Sequence, residues 1–130
     1  MSPSARVFLV IGAVAAALSV ALGAAAAHRL AGFPEHARSL FQTALQYHQL
    51  HALGLLANGL LADRFPGRLI RLAGGLMIAG LLLFSGNLYL RSLADFHALH
   101  AVTPWGGGAF ILGWLALAAG VAIAPGRDKR

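Results

Sequence analysis

VFLVIGAVAAALSVALGAAAA, residues 7–27, carries no charge, and Ser19 is its one polar side chain. A helix of about 20 apolar residues, rising 1.5 Å per residue, crosses the hydrocarbon core of a bilayer. The whole chain of 130 residues is 58% hydrophobic and 11% charged, whereas soluble domains carry about 25% charged residues. The stretch and the composition together exclude a water-soluble fold and indicate an integral membrane protein.

Three more stretches have the length of a membrane span. Residues 69–90 are interrupted only by Arg71, and residues 106–124 carry no charge. Residues 44–62 are also long enough, but their first half contains polar side chains and two histidines. An even number of spans leaves both basic chain ends on one side of the membrane, so we count residues 44–62 as a span. The sequence therefore predicts a single integral membrane domain, with spans at about residues 7–27, 44–62, 69–90 and 106–124.

The helix that contains the second span is expected to begin before the span itself. Proline suits the first position of a helix, and glutamate suits the positive end of the helix dipole, so Pro34 and Glu35 mark a start. A helix over residues 34–62 would be about 43 Å long at 1.5 Å per residue, whereas the hydrocarbon core is about 30 Å thick. The first turns of this helix are therefore predicted to lie in the headgroup region.

The lysines and arginines are unevenly divided between the two sets of connections. One set holds three of them, Arg29, Arg38 and Arg91, and the other holds seven. Cytoplasmic segments of membrane proteins are enriched in Lys and Arg, so the set of seven is predicted to be cytoplasmic. With short connections between the spans, the sequence predicts an all-α fold, a membrane four-helix up-down bundle with both termini cytoplasmic. The seven are Arg6, Arg64, Arg68, Arg71, Arg127, Lys129 and Arg130.

Residues 1–27 also resemble a secretory signal peptide, with Arg6 ahead of the apolar stretch and small residues at its end. The stretch is longer than the 7–15 apolar residues of such a signal. Its removal would also leave three spans, with the chain ends on opposite sides of the membrane. We therefore expect it to be retained as the first span.

The net charge of +6 raises the question of a nucleic-acid partner. The basic residues lie between the apolar stretches and at the chain ends, and do not form a stripe, so lipid headgroups are the expected partners and nucleic acid is not. Aromatic rings favour the membrane interface, where we expect Tyr89, Phe96 and Trp105. A protein partner in the membrane, or a second copy of the chain, is a further expectation.

Small residues recur at four-residue spacing, among them Gly12 and Ala16 in the first span and Gly75 and Ala79 in the third. Helices in lipid associate through close backbone approach, so these faces, with Gly113 in the fourth span, predict helix contacts. Polar side chains inside a membrane face the protein interior. Two stripes at offsets of four, seven and eleven residues are therefore predicted to point inward: Tyr47, His51, Gly54 and Asn58, and Gly80, Phe84, Asn87 and Arg91.

All six histidines follow the first or the third span, and so share one predicted face of the membrane. His48 and His51 are three residues apart, which places their Cβ atoms about 5–6 Å apart on one helix face. With His28 at the end of the first span they form a candidate metal site, and a metal ion is the one cofactor that these residues suggest. The alternative is structural: the imidazoles lie at the interface or form hydrogen bonds to neighbouring helix ends. The other three are His36, His97 and His100.

Catalytic motifs are absent from the sequence, and we do not expect an enzyme. Ser85 has no G-x-S-x-G pattern around it, and its hydroxyl is expected to bond back to its own helix. The four acidic residues are scattered, so they provide no carboxylate pair. The glycines at positions 106–108 follow Pro104 and are expected to let the backbone turn sharply into the fourth span.

Four local patterns occur in order: GAAAAHRL at residues 23–30, YHQLHALGLL at 47–56, LFSGNLY at 83–89 and TPWGGGAFILGW at 103–114. Together they resemble the family of small four-helix membrane proteins of unknown function that includes the bacterial YgdD-like proteins and related eukaryotic proteins. The first pattern is usually closer to G-A-F-G-A-H in that family, and Ala25 and Ala26 replace the Phe-Gly pair here. The resemblance implies a multi-pass protein of the bacterial plasma membrane and implies no activity. It favours His28, His48 and His51, which lie within the patterns.

Two classes of function fit these observations. The first is a non-catalytic binding or assembly protein, indicated by the small-residue faces, the basic chain end and the lack of a catalytic group. The second is a small transporter, or a protein that handles metal ions or protons through the histidines of the outer face. A proton relay normally needs an acid deep in the membrane, and the spans contain none. The sequence therefore favours the first class.

Overall fold

Four helices account for most of residues 1–126, the part of the chain that the computed structural model describes. Helix α1 is Pro3–Arg29, α2 is Glu35–Arg64, α3 is Arg68–Leu93, and α4 is Thr103–Ala122, which follows a short 3-10 turn at His100–Val102. The predicted all-α fold class is confirmed. The predictions for Arg127, Lys129 and Arg130 lie outside the described residues.

Three helices are long and apolar enough to cross a membrane: α1, α3 and the segment His100–Ala122 that contains α4. They contain the predicted spans at residues 7–27, 69–90 and most of 106–124. The predicted span at residues 44–62 lies in α2, which is not one of the three. Helix α2 has 30 residues and therefore sufficient length, but its glutamines and histidines make it less apolar.

The helix ends follow from local sequence. The Ser2 side chain accepts a hydrogen bond from the Ala5 amide at 3.2 Å, which satisfies one of the free donors at the start of α1. Pro34 lies immediately before α2 as its N-cap, rather than at the predicted first helical position, and Glu35 is the first helical residue. The segment 65–67 contains Pro66 and Gly67, which separate α2 from α3 because neither residue favours a helix interior.

Helices α1 and α2 pack closely and are antiparallel. A Cβ atom added at Gly12 would lie 3.0 Å from the Ala52 carbonyl oxygen, and one at Gly59 would lie 2.7 Å from Leu9 Cγ. The backbone amide of Ser2 donates to Asp63 Oδ1 at 3.0 Å, so the start of α1 lies beside the end of α2. The predicted role of Gly12 in a helix contact is thereby confirmed.

Helices α3 and α4 form a second close pair. A Cβ atom at Gly113 would lie 3.3 Å from the Ala73 carbonyl oxygen, and one at Gly120 would lie 2.7 Å from Ile70 Cγ1. The predicted contact face through Gly75 is wrong, because this residue is exposed and has no neighbour within 4 Å. The adjacent Gly74 faces the interior instead. Successive helical residues are rotated by about 100°, so a face that contains Gly74 cannot also contain Gly75.

Helix α3 changes its winding in the middle. Its α-helical parts, Arg68–Gly80 and Asn87–Leu93, are separated by the π-helical segment Leu81–Gly86. Gly106 of α4 approaches this segment so closely that a Cβ atom there would lie 2.5 Å from the Phe84 amide nitrogen. The expectation of a sharp turn at residues 106–108 is wrong, because these glycines lie inside α4 and none has a positive φ.

The interior of the molecule is apolar towards one end and contains more polar side chains towards the other. The histidine end is formed by the connections 30–34 and 94–99, and the basic end by the chain start and the connection 65–67. The main apolar cluster lies towards the basic end and joins all four helices, for example through Phe8, Leu55, Met77 and Leu117. Buried polar side chains towards the histidine end include His48, His51 and Asn87. The candidate functional residues therefore belong to that half.

Candidate functional site

His48 is held between three helices by both of its ring nitrogens. Its Nε2 lies 2.8 Å from the Ala15 carbonyl oxygen in α1, and its Nδ1 lies 2.8 Å from the Tyr89 hydroxyl in α3. A carbonyl oxygen can only accept, so Nε2 carries the proton and donates it to Ala15. Nδ1 is then the acceptor for the Tyr89 hydroxyl. This pattern describes a neutral imidazole with both nitrogens satisfied.

His51 is satisfied in the same way with the opposite tautomer. Its Nδ1 donates to the Tyr47 carbonyl oxygen at 2.7 Å, and its Nε2 accepts from Trp114 Nε1 of α4 at 2.9 Å. The side chain is 1% exposed, and its ring stacks on Phe110 with an interplanar angle of 14°. This imidazole is also neutral, because protonation of Nε2 would set two donors against each other.

The imidazole pair, His48 and His51, therefore connects all four helices. His48 joins α2 to α1 and α3, and His51 joins α2 to α4. Hydrogen bonds between helices in a bilayer contribute about 0.6 kcal/mol each on average, and up to about 1.7 kcal/mol. Two of the polar side chains that make α2 less apolar than its neighbours, His48 and His51, thus have partners inside the protein.

The structure does not bring the three candidate metal ligands into one group. His28 is exposed in the last turn of α1, while His48 and His51 are buried. Within residues 1–126, no three His, Asp or Glu side chains are placed to hold a metal ion. A metal at either buried imidazole would have to displace a hydrogen bond to the protein. Metal binding by His28, His48 and His51 stays a prediction, and the described geometry offers it no preformed site.

The remaining histidines lie at the histidine end and are exposed. His97 Nε2 lies 2.6 Å from Asp95 Oδ1, and His100 Nδ1 donates to the His97 carbonyl oxygen at 3.0 Å. Asp95 has a φ of 52°, a left-handed conformation that aspartate tolerates better than most residues. His36 lies in the first turn of α2. These contacts agree with the structural interpretation of this group.

The predicted inward stripes are confirmed at most of their positions. Asn58 is 0% and Asn87 4% exposed, and Gly80 is also buried. Asn87 Nδ2 donates to the Leu99 carbonyl oxygen at 2.6 Å and to Thr103 Oγ1 at 2.8 Å, which fastens the connection before α4. Asn58 differs, because neither its Nδ2 nor its Oδ1 has a hydrogen-bond partner among the described residues.

The two tyrosines make contacts that the sequence does not indicate. Tyr47 was predicted to point inward, yet it is 42% exposed, with its ring beside Phe84 and Phe110 at centroid distances of 4.8 and 6.2 Å. The interfacial position of Tyr89 stays a prediction, and its hydroxyl donates to the buried His48. A tyrosine near the end of a span is compatible with either surrounding, so the sequence does not indicate this bond.

A groove of about 440 Å³ lies between α1 and α3, and we call it the lateral groove. Its walls include Val14 and Leu18 of α1 and Leu82 of α3, which are 54%, 53% and 69% exposed, so the groove opens sideways. His48 and Ser85 also line it. Sequence reasoning missed this groove, because hydropathy does not reveal where two apolar helices fail to meet.

The predicted hydrogen bond from Ser85 to its own helix is wrong. Its hydroxyl was expected to bond back to its own helix, but Ser85 Oγ is buried and has no hydrogen-bond partner among residues 1–126. The residue lies in the π-helical segment, where the backbone carbonyls are displaced from their α-helical positions. The sequence contains no signal for this change of winding.

Comparison with known proteins supports the membrane assignment. Residues 22–107 match the model of a family described as "Protein of unknown function (DUF423)". The chain is 46% identical over 112 residues to "UPF0382 membrane protein YwdK" of Bacillus subtilis, and this alignment covers 85% of the chain and 91% of the relative. A "UPF0382 membrane protein" of Haemophilus influenzae is 38% identical over 114 residues, covering 87% of this chain and 91% of the relative. No solved structure matches the chain.

The family match contains the first three of the four sequence patterns, at residues 23–30, 47–56 and 83–89. The expected membership of a membrane family of unknown function is confirmed, while the narrower YgdD-like label stays a prediction. The family model matches about two thirds of the chain, and the alignments with the two relatives cover 85% and 87% of it. The chain therefore belongs to the DUF423 family of UPF0382 membrane proteins, whose function is unknown.

Proposed function

We propose that the chain is a non-catalytic binding protein of the bacterial plasma membrane. Its four helices form an up-down bundle that crosses the bilayer four times as a single domain, with both termini in the cytoplasm. The observation that supports the proposal is the lateral groove, which opens sideways between two helices and is lined mainly by apolar side chains. Such a groove suits a hydrophobic partner that arrives within the plane of the membrane.

The contacts of α2 support its role as the fourth span. Ser92 Oγ of α3 donates to the Ala37 carbonyl oxygen at 2.6 Å, so the start of α2 lies beside the end of α3. The end of α2 lies beside the start of α1 through Asp63. Helix α2 therefore extends along its two apolar neighbours, which cover the face that carries His48, while Gln42, Gln46 and Gln49 are exposed. A helix in this position crosses the membrane with its neighbours.

The imidazole pair supports a non-catalytic role. A general acid or base needs a nitrogen that can reach a substrate proton. Both nitrogens of His48 and of His51 are occupied by protein groups. Transport of metal ions or protons, the alternative class, would also need one of these bonds to open. The geometry therefore favours binding over transport.

Cysteine labelling tests the four spans. The chain has no cysteine, so single substitutions Gly32→Cys, Gly67→Cys and Ala98→Cys introduce unique labels in the connections. In right-side-out membrane vesicles, a membrane-impermeant maleimide is expected to label positions 32 and 98, and to label position 67 only after permeabilisation. Labelling of positions 32 and 67 from the same side would contradict the four-span topology.

Photo-crosslinking tests the groove. A photoreactive amino acid at Leu82, which is 69% exposed in the lateral groove, is expected to form adducts with one class of membrane component. The control is Leu72, which is 53% exposed on the same helix and does not line the groove. Identical adducts at the two positions would show that the groove binds nothing selectively.

A further inference from the structure

The lateral groove continues towards the histidine end through two further cavities. It shares Leu22 with a middle cavity of about 360 Å³, which is lined by Arg29 and Phe33 among others. The middle cavity shares Phe33 and Leu93 with an end cavity, also of about 360 Å³, which is lined by Arg91. The three cavities therefore adjoin one another through shared wall residues and extend from the space between α1 and α3 to the start of α2; together we call them the recess.

The chemistry of this recess changes along its length. The lateral groove is lined mainly by aliphatic side chains, the middle cavity adds one cation, Arg29, and the end cavity adds a second, Arg91. The end cavity also contains Asp95, which lies 2.6 Å from His97 Nε2. An apolar recess that ends in two arginines complements an amphipathic molecule with an anionic head.

The two arginines lack anionic partners in the protein. Within the described part of the chain, neither Arg29 nor Arg91 forms a salt bridge, and the buried Nε of Arg91 has no hydrogen-bond partner. The acids of the histidine end are Glu35 and Asp95, against three arginines. Guanidinium groups bind phosphate oxygens well, because their donors match the geometry of the anion.

The dimensions of the lateral groove indicate a single hydrocarbon chain. The groove extends from Val10 to Leu22 of α1, a length of about 18 Å at 1.5 Å per residue. The volume of about 440 Å³ is spread along this length, so the groove is long and shallow. Such a groove suits an extended acyl chain better than a transmembrane helix of a partner, which is about 10–12 Å wide with its side chains.

We infer that the recess binds an anionic glycerophospholipid, with one acyl chain in the lateral groove and the phosphate at Arg29 and Arg91. The inference rests on the proposed function, because it requires the groove to face the lipid phase. Arg29 lies seven residues beyond Leu22, at the last residue of α1, which places the headgroup at the membrane interface and the acyl chain towards the midplane. The bilayer supplies this ligand directly.

Competition between lipids tests the headgroup. Purified protein in detergent is mixed with phosphatidylglycerol and phosphatidylcholine of identical acyl chains, and bound lipid is counted by native mass spectrometry. A cation near lipid phosphate contributes about 1 kcal/mol, so the preference for phosphatidylglycerol is expected to fall about fivefold for each arginine lost. The double substitution Arg29→Gln and Arg91→Gln should abolish it, and Arg29→Gln alone provides a test at an exposed position.

The control removes the same charge elsewhere. Arg6 and Arg38 are exposed and do not line the recess, so Arg6→Gln with Arg38→Gln should keep the preference. An equal loss in this control, or no preference in the unmodified protein, would overturn the inference. Adducts at Leu82 that persist in that case would leave the proposed binding function standing.

The acyl chain is tested by filling the groove. Val14 lines the groove and is 54% exposed, whereas Val20 is 70% exposed on the same helix and lines none of the three cavities. Val14→Trp is expected to reduce binding of phosphatidylglycerol at least fivefold, and Val20→Trp to leave it unchanged. Equal binding by the two variants, or displacement of the lipid by inorganic phosphate alone, would overturn the inference.

Discussion

At the scale of single residues, hydrogen-bond direction explains why two histidines can be buried in a membrane protein. Burying an imidazole costs little free energy when one nitrogen donates a hydrogen bond and the other accepts one. His48 donates to a backbone carbonyl and accepts from a tyrosine, and His51 donates to a carbonyl and accepts from a tryptophan. The contribution of each aromatic donor, Tyr89 and Trp114, to the free energy of unfolding can therefore be measured by substituting it.

The bond between His51 and Trp114 should appear as an energetic coupling. In a double-mutant cycle, His51→Leu and Trp114→Phe are expected to couple by about 0.6–1.7 kcal/mol, the range of interhelical hydrogen bonds in membranes. Unfolding in mixed detergent micelles provides the free energies. The control is Trp105→Phe, because Trp105 is 75% exposed and should not couple to His51→Leu. A coupling near zero for Trp114 would show that the bond does not stabilise the fold.

Loss of the Tyr89 hydroxyl should destabilise the protein, because it leaves His48 Nδ1 without its donor. We expect Tyr89→Phe to lower the free energy of unfolding by about 1–2 kcal/mol, while the ring keeps its contact with Phe41 at 5.3 Å. Tyr47 makes no side-chain hydrogen bond to the described residues, so Tyr47→Phe is the matched control. Equal effects of the two substitutions, measured by thermal unfolding in detergent, would contradict this assignment.

At the scale of elements, hydropathy was sufficient to predict three of the four helices as membrane spans, and Pro34 with Glu35 predicted the start of the fourth. The stripe through His51 and Asn58 correctly indicated the buried face of α2. Periodicity fixes which side of a helix is polar, but it does not fix how neighbouring helices are rotated and separated. The contact of His48 with the Ala15 carbonyl and the lateral groove both depend on that arrangement, so the sequence could not predict them.

The close contact between Gly106 of α4 and the π-helical segment of α3 can be tested by substituting glycines of α4. Gly106 and Gly108 belong to the same helix, but a Cβ atom at Gly106 would lie 2.5 Å from the Phe84 amide nitrogen, whereas one at Gly108 would meet nothing within 4 Å. Gly106→Ala is expected to cost about 1–3 kcal/mol through overpacking. Gly108→Ala should be neutral or stabilise by up to about 1 kcal/mol, because alanine favours a helix. Similar unfolding free energies for the two variants would contradict the close contact.

At the scale of the whole molecule, both halves bury polar atoms that lack hydrogen-bond partners among the described residues. Towards the histidine end, the imidazole pair and Asn87 Nδ2 have partners on neighbouring segments, whereas Asn87 Oδ1, Ser85 Oγ and Arg91 Nε have none. Within the apolar half, Asn58 is fully buried beside Gly74 and has no partner among the described residues. The first half derives stability from its polar contacts, and the second is stabilised by apolar packing in spite of a buried amide.

We therefore expect the replacement of asparagine by leucine to change the free energy of unfolding in opposite directions at Asn87 and at Asn58. Asn87→Leu removes two donated hydrogen bonds and should lower the free energy of unfolding by about 1–3 kcal/mol. Asn58→Leu replaces an unpaired amide by an apolar side chain of similar size, and should raise the free energy of unfolding, since a buried unpaired polar group costs about 1–3 kcal/mol. Denaturation of both variants in the same detergent measures the difference. A loss of stability in Asn58→Leu equal to that in Asn87→Leu would mean that Asn58 has a partner in the folded protein, and that the amide stabilises the apolar half.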